Sequence, residues 1–252
     1  MARKLQMLMD AKQKGDDSRR ELIAGISHDL RTPLISIKGY AEGLVKGIAA
    51  TPSMQKEYLQ TIADKTADLE HIVNQLFLFS KLDTEDFPLS LETVDIGSLL
   101  MQYAETVSAE YNQRGLHIAL GNIKEKAIVR VDIVQLRNVF TTLLENSVKY
   151  GAKEQGIVKI ECTIVGADVH IVFHDNGPDV SDDKLEKLFN AFFRTDKARS
   201  NPGHGSGLGL AISRRIVELT GSSIWAENDK GLKVTIALPT IQGGSNEKDT
   251  DY

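Results

Sequence analysis

Apolar residues in the first third of the chain recur at steps of three and four, the spacing of one face of an α-helix. Ser18 and Glu21 form a capping-box pattern, so we predict a helix from there to about Ala49. Pro33 lies inside it and is predicted to kink it, because a proline lacks a backbone donor and crowds the preceding turn. The apolar positions are Ile23, Ile26, Leu30, Leu34, Ile37, Ala41, Leu44 and Ile48.

A second helix is predicted to start at Thr51-Pro52-Ser53 and to end near Leu82. Its apolar positions are Tyr58, Ile62, Leu69, Ile72, Leu76 and Phe79. The two helices form a helical hairpin, and each has only a narrow apolar stripe. Because a single hairpin would leave half of each stripe in water, we predict a homodimer in which two hairpins make a four-helix bundle. The alternative is a monomeric hairpin that rests on a second domain.

Residues 83–88 are acidic, include a proline and read as a linker. Beyond them short β-rich runs alternate with helices, which predicts an α+β domain with a sheet covered on one face by helices. The runs are Leu116–Ile123, Ala127–Val131, Ile157–Val165, Val169–His174, Ser223–Ala226 and Lys233–Leu238. We therefore predict a multi-domain chain: a lead-in segment 1–17, a helical domain 18–87, an α+β domain 88–240 and a flexible tail 241–252.

Composition narrows the function classes. The 252 residues are 41% hydrophobic and 26% charged, typical of a folded protein, and the net charge of -5 offers no basic face for a nucleic acid. Cys162 is the single cysteine, so we expect no internal disulfide and a reducing compartment. No stretch approaches 18 apolar residues, so we expect no membrane segment in this chain.

His28 is the first candidate for chemistry. It is two residues from Ile26 and from Leu30, about 200° around the helix from each, so it is predicted to face away from the apolar stripe. Thr32 falls within about 40° of His28 on the same face. A free imidazole with a pKa near 6.5 is mostly neutral at pH 7, so its lone pair is available as a nucleophile. The neighbouring acid Asp29 is suited to hold the other ring nitrogen.

Three later motifs are ambiguous when each is taken alone. Asn146, Lys149 and Tyr150 share one face of a helix that Asp132 is predicted to cap; they could bind Mg²⁺ and nucleotide, or be a helix end and a solvated charge. Asp175-Asn176-Gly177 could present a carboxylate to an exocyclic amine, or be only a tight turn. The third motif, the glycine run from Gly203 to Leu210, opens a helix and could bind phosphate with backbone amides, or be a flexible loop.

Taken together and in this order, the motifs resemble those of the sensor histidine kinases of two-component systems, over about residues 18 to 240. Residues 27–34 resemble the H box, Leu143–Tyr150 the N box, Asp175–Gly177 the first glycine box, Leu188–Arg194 the F box and Gly205–Leu210 the second glycine box. The resemblance implies a dimeric four-helix bundle followed by an α/β sandwich ATP-binding domain of the histidine kinase and Hsp90-like type.

The resemblance also implies roles for single residues. His28 is the phosphoacceptor, Thr32 orients water in a phosphatase reaction, Asn146 is a ligand of Mg²⁺, Asp175 reads adenine and Arg194 contacts the γ-phosphate of ATP. The other implied nucleotide contacts are Lys149, Tyr150, Gly177, Gly205, Gly207, Leu208 and Gly209, and residues 190–204 would be a mobile lid. The implied activity is autophosphorylation of His28 and transfer to an aspartate of a response regulator, in the cytoplasm, within a small soluble kinase or the cytoplasmic part of a membrane-bound sensor.

Two positions depart from the family pattern. Thr142 stands where the family usually has asparagine, and Asp179 stands where it usually has glycine, which places a carboxylate and a restricted backbone at a turn near the nucleotide. These departures motivate an alternative function, a pseudo-kinase scaffold that binds nucleotide without phosphotransfer. A third possibility, an ATP-driven clamp like the related chaperones, has no use for the H box.

Overall fold

The structure is a computed structural model, and it describes residues 25–27, 29–82, 87–152, 155–195 and 206–241. The chain divides into two compact units, one made of Met1–Lys81 with Asn190–Gly209 and the other of Leu82–Phe189 with Leu210–Tyr252. His28 and the predicted capping box at Ser18 and Glu21 lie outside the described residues. The domain boundaries given above stay predictions.

The first unit contains the predicted hairpin. Helix α1 comprises residues 25–27 and 29–45, and helix α2 spans Pro52–Leu82. The second helix therefore has the predicted bounds, whereas α1 ends four residues before Ala49. The residues on both sides of Pro33 are helical, so the proline does not end α1. Tyr40 and Tyr58 join the two helices edge to face, with ring centroids 4.9 Å apart.

Each helix of the hairpin keeps an apolar stripe on its surface. On α1, Leu34 and Val45 are 56% and 87% exposed, and at eleven residues apart they lie within about 20° of each other around the helix axis. On α2, Leu59, Val73 and Phe77 are also exposed, and they fall within about 40° of one another. The six apolar positions predicted for α2 are all half-buried.

The second unit contains seven strands within the described residues. In chain order they are β1 Glu92–Asp95, β2 Leu116–Ile123, β3 Ile128–Val131, β4 Gly156–Val165, β5 Asp168–Asp175, β6 Ser223–Asn228 and β7 Leu232–Pro239. Five of them form a sheet in the order β2-β4-β5-β7-β6, in which only β2 and β4 are parallel. The predicted run at 127–131 is a strand but pairs with β1 in a separate two-stranded sheet, and the sequence pattern had not predicted β1.

Helices cover the five-stranded sheet. They are α3 Ile96–Gln113, α4 Ile133–Tyr150, the short α5 Asp182–Leu185, a single 3-10 turn Glu186–Phe189, and α6 Gly209–Leu219. Phe140 of α4 packs on Phe173 of β5 and on Tyr103 of α3, with centroids 5.4 and 5.5 Å apart. Fully buried apolar side chains from both layers form the core, among them Leu100, Ile160, Ile171, Ile236 and Leu144. The predicted α/β sandwich is confirmed.

Within the described ranges, none of the helices is both long enough and apolar enough to span a membrane.

Candidate functional site

Helix α4 presents three of the predicted site residues. Asp132 caps it as expected, accepting hydrogen bonds from Gln135 N at 3.0 Å and from Ser90 N at 2.9 Å. Because one face of α4 is buried against the sheet, Asn146 is left half-buried on its flank, and Lys149 and Tyr150 are exposed near its end. Among the described residues the Asn146 side chain has no hydrogen-bond partner, so its amide oxygen is available as a ligand.

Asp175 ends β5 and is the most firmly held side chain of the site. Its Oδ1 accepts from the backbone N of Gly177 at 2.8 Å and of Leu232 at 3.1 Å, and its Oδ2 accepts from Ser147 Oγ at 3.3 Å. A carboxylate oxygen accepts two hydrogen bonds, so Oδ1 is saturated and Oδ2 keeps one acceptor position. The Ser147 hydroxyl has one proton, which it shares between Oδ2 and the Leu143 carbonyl at 3.2 Å. The carboxylate is therefore oriented by two backbone amides and, more weakly, by Ser147, with one place left for an outside donor.

Gly177 has no room for a side chain. A Cβ there would lie 2.8 Å from Gly151 Cα and 2.9 Å from Asp175 Oδ1. Its neighbour Asn176 fastens the turn to the start of β4, where its Oδ1 accepts from Ile157 N at 2.8 Å and its Nδ2 donates to Gln155 O at 2.9 Å. The turn is thus both a tight turn, as the simpler alternative had it, and the holder of the Asp175 carboxylate.

The side chains at both departures from the family pattern form hydrogen bonds with the backbone. Thr142 Oγ1 donates to the carbonyl of Asn138 at 2.9 Å, one helical turn back. Asp179 Oδ1 accepts from Gly231 N at 2.8 Å. The backbone at Asp179 is not strained, because the non-glycine residues with positive φ in the described ranges are Lys126, Phe192 and Lys230. A residue with negative φ suits the backbone at position 179 without strain.

The glycine-box loop is described only in part. Gly205 and residues 196–204 of the predicted lid lie outside the described residues. Gly207 has φ of 67° and approaches the backbone of Phe192 so closely that a Cβ would lie 2.9 Å from Phe192 Cα. Phe192 N donates to Gly207 O at 2.9 Å. A glycine is therefore required at position 207 by both the backbone conformation and the space.

The neighbours of Gly207 complete the loop. Leu208 is buried, and its N donates to Ser206 Oγ at 3.2 Å, while Ser206 Oγ donates in turn to Gln75 Oε1 of α2. Gly209 begins α6, two residues earlier than the sequence pattern indicated. Of the remaining predicted site residues, Asp29 and Arg194 are half-buried and Thr32 is exposed.

Glu145, about 100° around α4 from Asn146, links this helix to the end of α3. Arg114 donates to its two oxygens at 2.6 and 2.8 Å, and the Tyr111 hydroxyl donates to Oε1 at 3.1 Å. The hydrogen bonds from Arg114 lower the pKa of Glu145, against the effect of its partial burial. Burial and the Glu145 charge raise the pKa of Tyr111. This cluster fixes α4 to the C-terminal end of α3 through contacts that do not involve Asn146.

Sequence reasoning missed Ser147 and Leu232 as partners of the site; it placed Asp179 near the nucleotide but did not predict its contact to Gly231. Ser147 had a signal, because it is a polar residue on the apolar face of α4, next to Asn146. Leu232 acts through its backbone N–H, which every residue except proline carries, so its type gave no signal.

The comparisons with known proteins agree with this fold. The His Kinase A phospho-acceptor domain matches residues 18–85, and the histidine kinase-, DNA gyrase B- and HSP90-like ATPase domain matches residues 131–242. The sensor histidine kinase WalK of Bacillus subtilis is 30% identical over 233 residues, which are 90% of this chain and 38% of WalK. The chain thus spans 38% of the length of the curated relatives it matches.

Two solved structures share the arrangement. ShkA in complex with AMPPNP matches with a TM-score of 0.64 at 26% identity, over 88% of this chain and 47% of ShkA. The histidine kinase ThkA, in complex with the response regulator protein TrrA, matches with a TM-score of 0.71 at 22% identity, over 91% of this chain and 66% of ThkA.

The chain has a helical hairpin followed by an α/β sandwich, in which a buried serine and two backbone amides hold an aspartate at the end of a strand. Together with the two domain matches, this fold defines a protein that joins a phosphoacceptor domain to an ATPase-type domain. The chain belongs to the sensor histidine kinases of two-component systems.

Proposed function

We propose that this chain transfers the γ-phosphoryl group of ATP to His28 and then to an aspartate of a response regulator. The observation that carries the proposal is the Asp175 carboxylate, which is fixed by Gly177, Leu232 and Ser147 and keeps one acceptor position on Oδ2. An adenine 6-amino group is a donor that fits this position. The nucleotide contacts expected of Lys149, Tyr150, Gly205, Gly207, Leu208 and Gly209 belong to the same proposal.

The described residues offer Mg²⁺ one candidate protein ligand, the side-chain amide oxygen of Asn146. No group of three or more His, Cys, Asp or Glu side chains suited to a metal occurs in the described part of the chain. Mg²⁺ bound with nucleotides takes one or two protein oxygens and completes its shell with phosphates and water. Asn146, with its amide oxygen available, would be that protein ligand. The ion neutralises phosphate charge when bound.

The phosphotransfer step uses the His28 lone pair. The ring nitrogen attacks the γ-phosphorus, an N–P bond forms, the bond from phosphorus to the β,γ-bridging oxygen breaks, and ADP leaves with that electron pair. Asp29 orients the ring and stabilises its positive charge, and Arg194 offsets charge on the γ-phosphoryl oxygens. The carboxylate of the regulator then takes the phosphoryl group, and the N–P electron pair returns to His28.

Labelled ATP with Mg²⁺ tests the proposal. We expect acid-labile, base-stable label on the protein that is lost in His28→Gln and kept in His71→Gln, a matched change at an exposed histidine of α2. Nucleotide binding without label would support the pseudo-kinase scaffold instead. Steady ATP hydrolysis that survives loss of His28 would support a clamp.

The phosphatase part of the proposal depends on Thr32, which is exposed on α1. We expect Thr32→Ala to keep autophosphorylation and to lose dephosphorylation of the regulator, because only hydrolysis of the aspartyl phosphate, which releases inorganic phosphate, needs an oriented water. The rate of autophosphorylation is measured with labelled ATP, and the rate of dephosphorylation is measured separately with a phosphorylated regulator. An equal loss of both would contradict it.

The proposed partners are a second copy of the chain and the receiver domain of a response regulator, the class of protein that ThkA binds in its solved complex. The exposed apolar stripe of Leu34 and Val45 supports the second copy. The cytoplasmic location expected from the sequence is part of the same proposal.

A further inference from the structure

We infer that Asp179 is a positioning residue: through Gly231 it holds the turn whose next residue, Leu232, orients the Asp175 carboxylate towards the base of the nucleotide. The inference rests on the proposed function, in which Asp175 reads adenine. It concerns a residue at which this chain departs from the family pattern.

The turn between β6 and β7, residues 229–231, is fastened to β5 and the loop after it at three points. His174 Nε2 lies 2.7 Å from Asp229 O, Asp179 Oδ1 accepts from Gly231 N at 2.8 Å, and Asp175 Oδ1 accepts from Leu232 N at 3.1 Å. The second and third contacts come from consecutive amides. A movement of Gly231 therefore displaces Leu232 N, one of the donors that orient the Asp175 carboxylate.

Gly231 packs closely against the backbone of Asp175, so it can move only away from that residue. It is buried, its φ is 139°, and a Cβ at this residue would collide with the carbonyl oxygen of Asp175. The turn thus lies directly on the backbone of Asp175. Without the Asp179 carboxylate, the Gly231 N–H would lose a charged acceptor in a buried position, and the turn would have to shift to find another.

The loop that carries Asp179 is also held by contacts that do not involve the Asp179 side chain, made by Asn228 at the end of β6. Asn228 Oδ1 accepts from Val180 N at 3.0 Å, and Asn228 Nδ2 donates to Val180 O at 2.6 Å. Asp179 is itself exposed. Its replacement should therefore leave the loop in place and remove only the contact to Gly231, which makes the position suitable for a clean test.

The test compares two nucleotides on the full chain by titration calorimetry. ATP offers a 6-amino donor to Asp175, whereas inosine triphosphate has a 6-oxo group and does not. We expect Asp179→Ala to weaken ATP binding by about tenfold, the scale of one lost hydrogen bond to a charged group, and to change inosine triphosphate binding by less than about twofold. Asp179→Asn keeps an acceptor oxygen, so it should bind ATP within about threefold of the wild type.

The outcomes separate the inference from the function beneath it. The inference would be overturned if Asp179→Ala weakened the binding of both nucleotides equally, or of neither. It would also be overturned if Asp179→Asn weakened ATP binding as much as Asp179→Ala. If the wild type binds neither nucleotide, the proposed function fails, and amide exchange then tests the inference alone. Asp179→Ala should speed hydrogen exchange at the Leu232 amide, and an unchanged rate there would overturn it.

Discussion

The role of Asp175 depends on the hydrogen-bond donors around its carboxylate. Asp175 is followed by Asn176 and Gly177, a run that forms a tight turn without any ligand. What distinguishes it is that Ser147 and Leu232 also donate to its carboxylate, from 28 and 57 residues away in the chain. The turn interpretation and the binding interpretation are therefore both true of the same residues.

Gly177→Ala tests how closely the site is packed. The added Cβ would meet Gly151 Cα at 2.8 Å, so the two backbones must separate. We expect a loss of about 1–3 kcal/mol in the free energy of unfolding, together with weaker ATP binding because Gly177 N also donates to Asp175. Urea denaturation and nucleotide titration measure the two effects.

Gly39→Ala is the matched control. No atom lies within 4 Å of a Cβ at Gly39, which is in the middle of α1. The alanine should leave stability unchanged or raise it by up to about 1 kcal/mol, because alanine favours helix more than glycine does. Equal stability of the wild type and Gly177→Ala would contradict the close packing of the turn.

At the scale of elements, α4 is held on two sides and presents its site residues on a third. The sheet buries one face, and α3 contacts one flank through the pair Arg114 and Glu145 and through the Tyr103 hydroxyl, 2.8 Å from Thr141 Oγ1. Asn146 lies about 100° around the helix from Glu145. The rotation of α4 about its axis is therefore fixed by contacts that do not involve Asn146.

The Glu145 and Arg114 pair predicts a pH dependence of stability. The pKa of Glu145 is lowered in the folded state below its ordinary value of 4.5, so its contribution is complete above that value and is lost as the pH falls through the folded pKa. Since both side chains are partly exposed, we expect Glu145→Gln to cost only about 1 kcal/mol at pH 7 and less near pH 3 than at pH 7. Urea unfolding across this pH range measures it.

Glu110→Gln is the control for that prediction. Glu110 also lies near Arg114, but at 3.5 Å and with its side chain 68% exposed. Its replacement should change stability by less than about 0.5 kcal/mol at either pH. A Glu145→Gln difference that persists at low pH would show that packing, and not the charge of Glu145, is responsible.

Most elements could be predicted from the sequence because their signals are local. The α2 bounds, the Asp132 cap and the β2 bounds come from side-chain period and from neighbours within four residues. β1 could not be predicted, because its four residues have no clear alternation and form a strand only by pairing with β3, more than 30 residues away.

At the scale of the whole molecule, the hairpin has more apolar surface than one copy buries. We expect Leu34→Glu to convert the proposed dimer to a monomer, because it places a charge on the exposed stripe of α1. Light scattering on the full chain gives the mass. Ile35→Glu is the control: Ile35 is 62% exposed, but it points about 100° away from Leu34, so the variant should remain a dimer. A monomeric wild type would contradict the dimer itself.

The sequence by itself determined the helical hairpin, six of the seven strands of the described residues, the helix cap at Asp132 and the residue types of the nucleotide motifs, because each depends on neighbours in the chain. Only the tertiary structure decided the pairing of β1 with β3, the three donors to Asp175 and the contact from Asp179 to Gly231. The physical reason is that, apart from the Ser147 hydroxyl, the donors in these contacts are backbone amides brought together by the fold, and backbone amides are chemically alike at every residue except proline.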